Sequence, residues 1–132
     1  MYKKTKEEIK KIIEGGKIIG EILEEISILA KPGVSAWEID AQAEELIKKV
    51  GGIPAFKGYK TRPSDSPFPS TICASINEEL VHGIATKEKI LKDGDIFSID
   101  IGMQYPGKRG YFTDMALTLP IGKIPKETQK LL

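Results

Sequence analysis

Cysteine, histidine and tryptophan are almost missing from this chain of 132 residues, which has one of each. A lone Cys73 excludes an intramolecular disulfide framework and any cysteine-cluster zinc site, and it fits a reducing compartment. An excess of either charge is missing too. The 20 Lys+Arg stand against 19 Asp+Glu for a net of +1, so there is no basic footprint of the kind nucleic-acid binders carry. No apolar run approaches the ~18 residues needed to cross a bilayer. Residues 1–8 are basic with no apolar stretch behind them, so they do not read as a secretory signal. Phosphate loops, GxGxxG, HExxH and catalytic triads at recognisable spacing are all lacking. With 40% apolar and 30% charged residues, the composition is that of an ordinary soluble protein. The length fits one domain or part of a larger one. Neither nucleic acid nor a membrane is expected as a partner, and the cytoplasm is the expected location.

What is present begins with periodicity. Ile9, Ile12, Ile13, Ile19, Ile22, Leu23, Ile26 and Leu29 recur at helical spacing with Lys and Glu on the other face, which predicts a helix over residues 5–30. Thr5 can cap it, and Glu7 and Glu8 suit the positive end of the helix dipole. Gly15, Gly16 and Gly20 each cost up to ~1 kcal/mol in a helix interior. Close contact with a sheet or another helix is one reason to tolerate them, and a break in the helix is the other. Ser35 and Glu38 form a capping box that predicts a second helix over residues 35–50, with Trp37, Leu46, Ile47 and Val50 as its buried stripe. Gly51 and Gly52 end it in a conformation cheap only for glycine.

Residues 53–70 hold Pro54, Pro63, Pro67 and Pro69, half of the 8 prolines, so this stretch is neither a central strand nor a helix interior. Beyond it, residues 71–76, 95–105 and 110–119 read as strands. Phe97, Ile99, Ile101 and Met103 share one face of the middle one, and Pro106-Gly107 marks the turn that follows it. A helix begins near Lys126, and its early stop at Leu132 suggests that further structure belongs after it. The expected class is α+β, two long helices packed on an antiparallel sheet, with residues 1–132 as one domain.

Asp100 lies between two isoleucines in a strand, where a carboxylate has no packing use. A buried carboxylate without a partner costs several kcal/mol, so it must be paired, protonated or bound to a cation. Asp114 raises the same question on the next strand. A hairpin centred on Gly107 would set the two opposite each other with Cβ atoms ~4.5–5.5 Å apart, or diagonal if the register slips. A divalent cation between them is one resolution; Mn²⁺, Fe²⁺, Co²⁺ or Zn²⁺ would suit when His or Glu completes the shell. Neutralisation by Lys108 or Arg109, or exposure of one aspartate, is the other. His82, followed by Gly83, can be a ligand, a proton donor or a hydrogen-bonded filler. Cys73 on its strand reads as a small buried hydrophobe.

The stretch Cys73-Ala74-Ser75-Ile76-Asn77-Glu78-Glu79-Leu80-Val81-His82-Gly83 resembles the Cys-x-Ser-x-Asn-Glu…His-Gly segment of type I methionine aminopeptidases. The segments Asp95-Ile96-Phe97-Ser98-Ile99-Asp100 and Gly110-Tyr111-Phe112-Thr113-Asp114 resemble those carrying the family's two metal aspartates. Lys31-Pro32-Gly33-Val34-Ser35 and Gly58-Tyr59 are similar as well. The wider creatinase and prolidase superfamily shares the aspartate strands. The resemblance implies the N-terminal half of a pita-bread fold and metal-dependent removal of the initiator methionine from nascent polypeptides. It implies two divalent ions (Co, Mn, Fe or Zn), with Asp100 and Asp114 as ligands and His82 bound to the scissile peptide. Tyr59, Phe68 and Cys73 fall near positions that line the methionine pocket. Residues 60–67 look inserted relative to the family, the aspartate hairpin looks longer than usual, and Val81 replaces a frequent cysteine. The family's remaining ligands, one His and two Glu, lie in a second half absent here. The chain alone is therefore expected to hold the ions incompletely and to be inactive as a monomer. A missing C-terminal half or a second copy is the expected partner, beside the N-terminal Met peptide. The alternative is a non-catalytic half-domain that binds peptide or protein, or assembles as a homodimer.

Overall fold

The structure is a computed structural model describing residues 3–132; the reading of the extreme N-terminus rests partly on Met1 and Tyr2, which lie outside the described residues. Helix α1 spans Lys6–Leu29. Its first turn is tied by a reciprocal cap, in which the Thr5 N–H donates to Glu8 Oε2 (2.6 Å) and the Glu8 N–H to Thr5 Oγ1 (3.2 Å). Helix α2, Ala36–Lys49, starts with the same device built from Ser35 and Glu38. Both stop where glycine or an N–H-poor sequence takes over, α2 at Gly51 with φ +80°.

Four strands follow: β1 (Ile53–Pro54), β2 (Ile72–Ile76), β3 (Ile96–Tyr105) and β4 (Tyr111–Pro120), with a short α3 at Lys126–Gln129. All pairings are antiparallel. β3 is central: β4 runs along one edge, while β2 and then β1 share the other. The alternation expected in β3 is observed. Phe97, Ile99, Ile101 and Met103 are fully buried beneath the helices, joined by Ile19, Ile22, Leu23 and Ile26 of α1 and Ile39, Ala43 and Ile47 of α2.

The helix glycines have a partner. A Cβ on Gly15 would lie 3.2 Å from Thr113 Cγ2, and one on Gly20 would touch Met115, so α1 rests on β4 and the helix is unbroken; Gly16 meets nothing. The buried stripe of α2 is a correction. Leu46 and Ile47 are buried, but Trp37 and Val50 are exposed, and Ala36, Ile39, Asp40 and Ala43 take their place. The stripe is rotated because α2 must seat its small residues close to α1 and β2. Trp37 instead lies under the Lys87 ammonium, 4.6 Å from its ring centroid. At the start of α1, Ile9 and Ile13 are exposed, because there the sheet meets another side of the helix, where Tyr111 reaches Glu8 and Gly15 packs on Thr113. The two-residue β1 was not expected within the proline-rich stretch, and as an edge strand it tolerates Pro54.

The hairpin register also differs from expectation. Tyr105 pairs with Tyr111, so the ladder is centred on Lys108, and Asp114 lies opposite Gly102 while Asp100 faces Ala116. A single 3₁₀ turn at Gly107–Arg109, closed by the Gly110 N–H on the Gly107 carbonyl (3.0 Å), lengthens the connection. The aspartates are therefore diagonal neighbours on one face, not directly opposed. No described helix is long and apolar enough to cross a membrane.

Candidate functional site

The sheet has two unlike faces. Odd-numbered residues of β3 and β4 point to the helices, and even-numbered residues point to a face that neither long helix of the described residues covers. On that open face stand Ser98, Asp100, Asp114, Ala116 and Thr118, with Cys73 and Ser75 from β2 beside Asp100 and Ser98. Diagonal placement puts the Asp100 and Asp114 Cβ atoms about 7 Å apart, within reach of one cation for two carboxylates.

Their environments differ. Asp114 is exposed, which corrects the expectation that it shares the buried predicament of Asp100. Asp100 is half-buried, and its Oδ1 is a buried atom without a hydrogen-bond partner among the described residues. Neither Lys108 nor Arg109 folds back to either aspartate; ion pairs among the described residues include Lys48–Glu44, Lys57–Glu44 and Lys89–Glu79. Burial first and the Asp114 carboxylate second push the Asp100 carboxyl above the usual aspartate range, while His82 pulls it down. The Cys73 thiol is pushed up to about 11 by burial and by the same two aspartates, against a backbone N–H from His82. An orphaned carboxylate oxygen next to a second carboxylate fits a hard or borderline divalent cation. The fit is partial, because no three His, Cys, Asp or Glu of the described residues form a group that could hold a metal ion.

His82 comes from the loop between β2 and β3, held at both ends. Asn77, at φ +53°, donates its backbone N–H to the Ile96 carbonyl (3.0 Å) and accepts from the Ile96 N–H through Oδ1 (3.0 Å). At the other end Gly83 is pressed onto β2. Its N–H donates to Ser75 Oγ (3.2 Å), its carbonyl accepts from the Ala74 N–H (2.8 Å), and a Cβ there would run into the Ala74 carbonyl. Lys89 clasps the middle, donating to Glu79 (2.8 Å) and to the Ala74 carbonyl (3.0 Å). His82 itself sits at φ +58°, a left-handed conformation that costs a non-glycine residue on the order of 1 kcal/mol and persists where its surroundings impose it.

These elements enclose a cavity of about 700 Å³, lined by Tyr59, Phe68, Cys73, His82, Asp100 and Asp114 among others. Every residue singled out from the sequence meets here. The lining also includes Phe56, Asp65 and Phe112, which sequence reasoning missed. Phe112 stands two residues before Asp114 on the same strand face, so strict alternation from Asp114 reaches it. Gly102 was a further signal: it lies two residues from Asp100, and its missing side chain leaves room for the Phe56 ring, 2.6 Å from where a Cβ would be. Nothing local in the sequence places Asp65 in the wall.

A profile of metallopeptidase family M24 matches residues 10–132. The chain is similar to methionine aminopeptidases of Aquifex aeolicus, 44% identical over 128 residues, and Bacillus subtilis, 46% over 129 residues. These matches cover 97% and 98% of this chain but 48% of each relative. Among solved structures, the methionine aminopeptidase of Thermotoga maritima superposes with a TM-score of 0.88 at 36% identity, over 99% of this chain and 49% of that one. An Xaa-Pro dipeptidase from Bacillus anthracis follows at 0.73 and 26% identity, with 96% and 32% covered. The architecture is thus about half of the pita-bread fold, and the chain spans about half the length of the relatives it matches.

Proposed function

The chain belongs to metallopeptidase family M24, and from that premise we propose that residues 1–132 are one domain supplying the N-terminal half of a methionine aminopeptidase active site. The reaction is hydrolysis of the first peptide bond of a nascent chain beginning with Met, in the cytoplasm. The observation that carries this reading is the unpartnered Asp100 Oδ1 beside Asp114 in a cavity with an apolar wall.

Asp100 and Asp114 would hold divalent metal (Co, Mn, Fe or Zn), Asp100 through its buried oxygen and Asp114 from the next strand. When bound, such ions polarise a carbonyl and lower the pKa of a coordinated water. The chain's own residues do the rest. Tyr59 and Phe68 offer aromatic surface and Cys73 a soft edge to a methionine thioether, whose sulfur favours aromatic contact. His82, fixed by Gly83 and Ser75, donates a hydrogen bond at the scissile peptide. The apolar wall and the sheet exclude water from the side chain and orient the first peptide bond over the aspartates.

Two carboxylates are too few to hold catalytic metal, so the remaining ligands come from a second half. A second copy of the chain is the other source. The open face and its rim expose Phe112 at 66%, Leu80 at 88% and Val81 at 62%, apolar surface of a kind that marks an interface.

The test is release of free methionine from Met-Ala-Ser with Mn²⁺, by the chain alone and by the chain mixed with the C-terminal half of the Bacillus subtilis relative. A monomeric chain, checked by light scattering, should release none. The complemented mixture should release methionine, stop on chelation, and lose about 100-fold in rate on His82→Ala. A well-folded mixture that binds metal yet releases no methionine contradicts the reading.

A further inference from the structure

The cavity carries more negative charge than the two aspartates proposed for metal account for. Its lining holds a third carboxylate, Asp65, and no Lys or Arg. Resting on the function proposed above, we propose that Asp65 is a specificity-determining residue that makes the site favour peptides with a cationic side chain just beyond the second residue.

The placement comes from how residues 60–67 are attached. The Gly58 N–H donates to the Phe68 carbonyl (2.8 Å) and the Phe68 N–H to the Tyr59 carbonyl (2.9 Å). This tie closes the base of the segment, so residues 60–67 rise from the rim of the aromatic wall. Within the loop, the Asp65 N–H donates to the Arg62 carbonyl (3.0 Å), and the Arg62 N–H donates to Asp65 Oδ2 (2.9 Å). One carboxylate oxygen is thereby fixed and the side chain is pre-oriented. Its neighbours Arg62, Pro63, Ser64, Ser66 and Pro67 are exposed, whereas Asp65 is half-buried.

No cation among the described residues neutralises it. The ion pairs lie elsewhere, and the nearby Lys60 ammonium is turned to the Pro63 carbonyl at 3.5 Å. A methionine side chain against Tyr59 and Phe68, with its peptide bond over Asp100 and Asp114, leaves the following residues to exit past the rim. The cavity volume of about 700 Å³ exceeds what one residue fills. A lysine in that exit meets an available carboxylate, and a glutamate meets a like charge. At a partly exposed site the expected discrimination is about fivefold, and it falls as salt rises.

The experiment takes ¹⁵N-labelled chain complemented with the unlabelled C-terminal half of the Bacillus subtilis relative, with Zn²⁺ present, and titrates it with the tetrapeptide amides Met-Ala-Lys-Ala and Met-Ala-Glu-Ala, reading the backbone signals of Tyr59 and Phe68. The lysine peptide should half-saturate at about a fivefold lower concentration. Asp65→Asn should bring the ratio to about one, and Asp65→Glu should restore it. Equal titration by both peptides, or a ratio unchanged in Asp65→Asn, overturns the role of Asp65 and leaves the methionine-peptide reading standing. If neither peptide moves the Tyr59 and Phe68 signals, the reading beneath it falls as well.

Discussion

At the scale of single residues, the fold bears two buried-carboxylate problems and resolves them differently. Asp40 of α2 is buried and accepts backbone hydrogen bonds from Thr71 (2.7 Å) and Ile72 (2.9 Å), pinning the start of β2 to α2. Burial outweighs those bonds and raises its carboxyl above the ordinary aspartate value, with the Lys57 charge working against it. A raised folded-state pKa means the folded state binds the proton more tightly. The stability this confers is full below the unfolded value, about 3.9, and is lost as pH rises through the folded one. Asp40→Asn keeps an oxygen acceptor and removes the titration. Urea midpoints between pH 4 and pH 8 should fall with rising pH in the parent and stay flatter in this variant. A parent slope unchanged by Asp40→Asn would mean that other groups set it. Asp100 Oδ1 has no such partner among the described residues, and the proposed cation would supply one.

At the scale of elements, the loop from Asn77 to Gly83 sets His82 into the cavity wall. Its two ends are stitched to β3 and β2, and the closer stitch has no room for a side chain. Gly83→Ala should therefore destabilise the chain by about 1–3 kcal/mol and displace His82 from the cavity, read as a shifted His82 ring signal. A variant as stable as the parent, with that signal unmoved, contradicts the contact. The helices were legible because caps and periodicity agree, and β3 because its alternation is strict. The phase of α2 was not, since Trp37 is its largest apolar residue and Val50 extends the same stripe, while the packing selects Ala36, Ile39 and Ala43. The hairpin was misplaced by one residue because the 3₁₀ turn adds length that Pro106-Gly107 alone does not announce. That single residue keeps both aspartates on one face, since Asp100 and Asp114 differ by an even step across the ladder. Asp65 was illegible for another reason: its position depends on a tie between Gly58 and Phe68 across a loop with no periodicity.

At the scale of the whole molecule, one layer of helices covers one face of the sheet, and the other face, with the cavity, is left open. The chain spans about half the length of the relatives it matches. Asp100 and Asp114 are proposed to act together as a cation site, and Mn²⁺ binding tests this without requiring turnover. Free and bound Mn²⁺ can be counted by electron paramagnetic resonance in the parent, Asp100→Asn and Asp114→Asn, each checked for folding by circular dichroism. Binding in the parent should weaken by at least about tenfold in either variant, as loss of a metal ligand requires. Equal Mn²⁺ affinity in the parent and both variants would contradict the shared site.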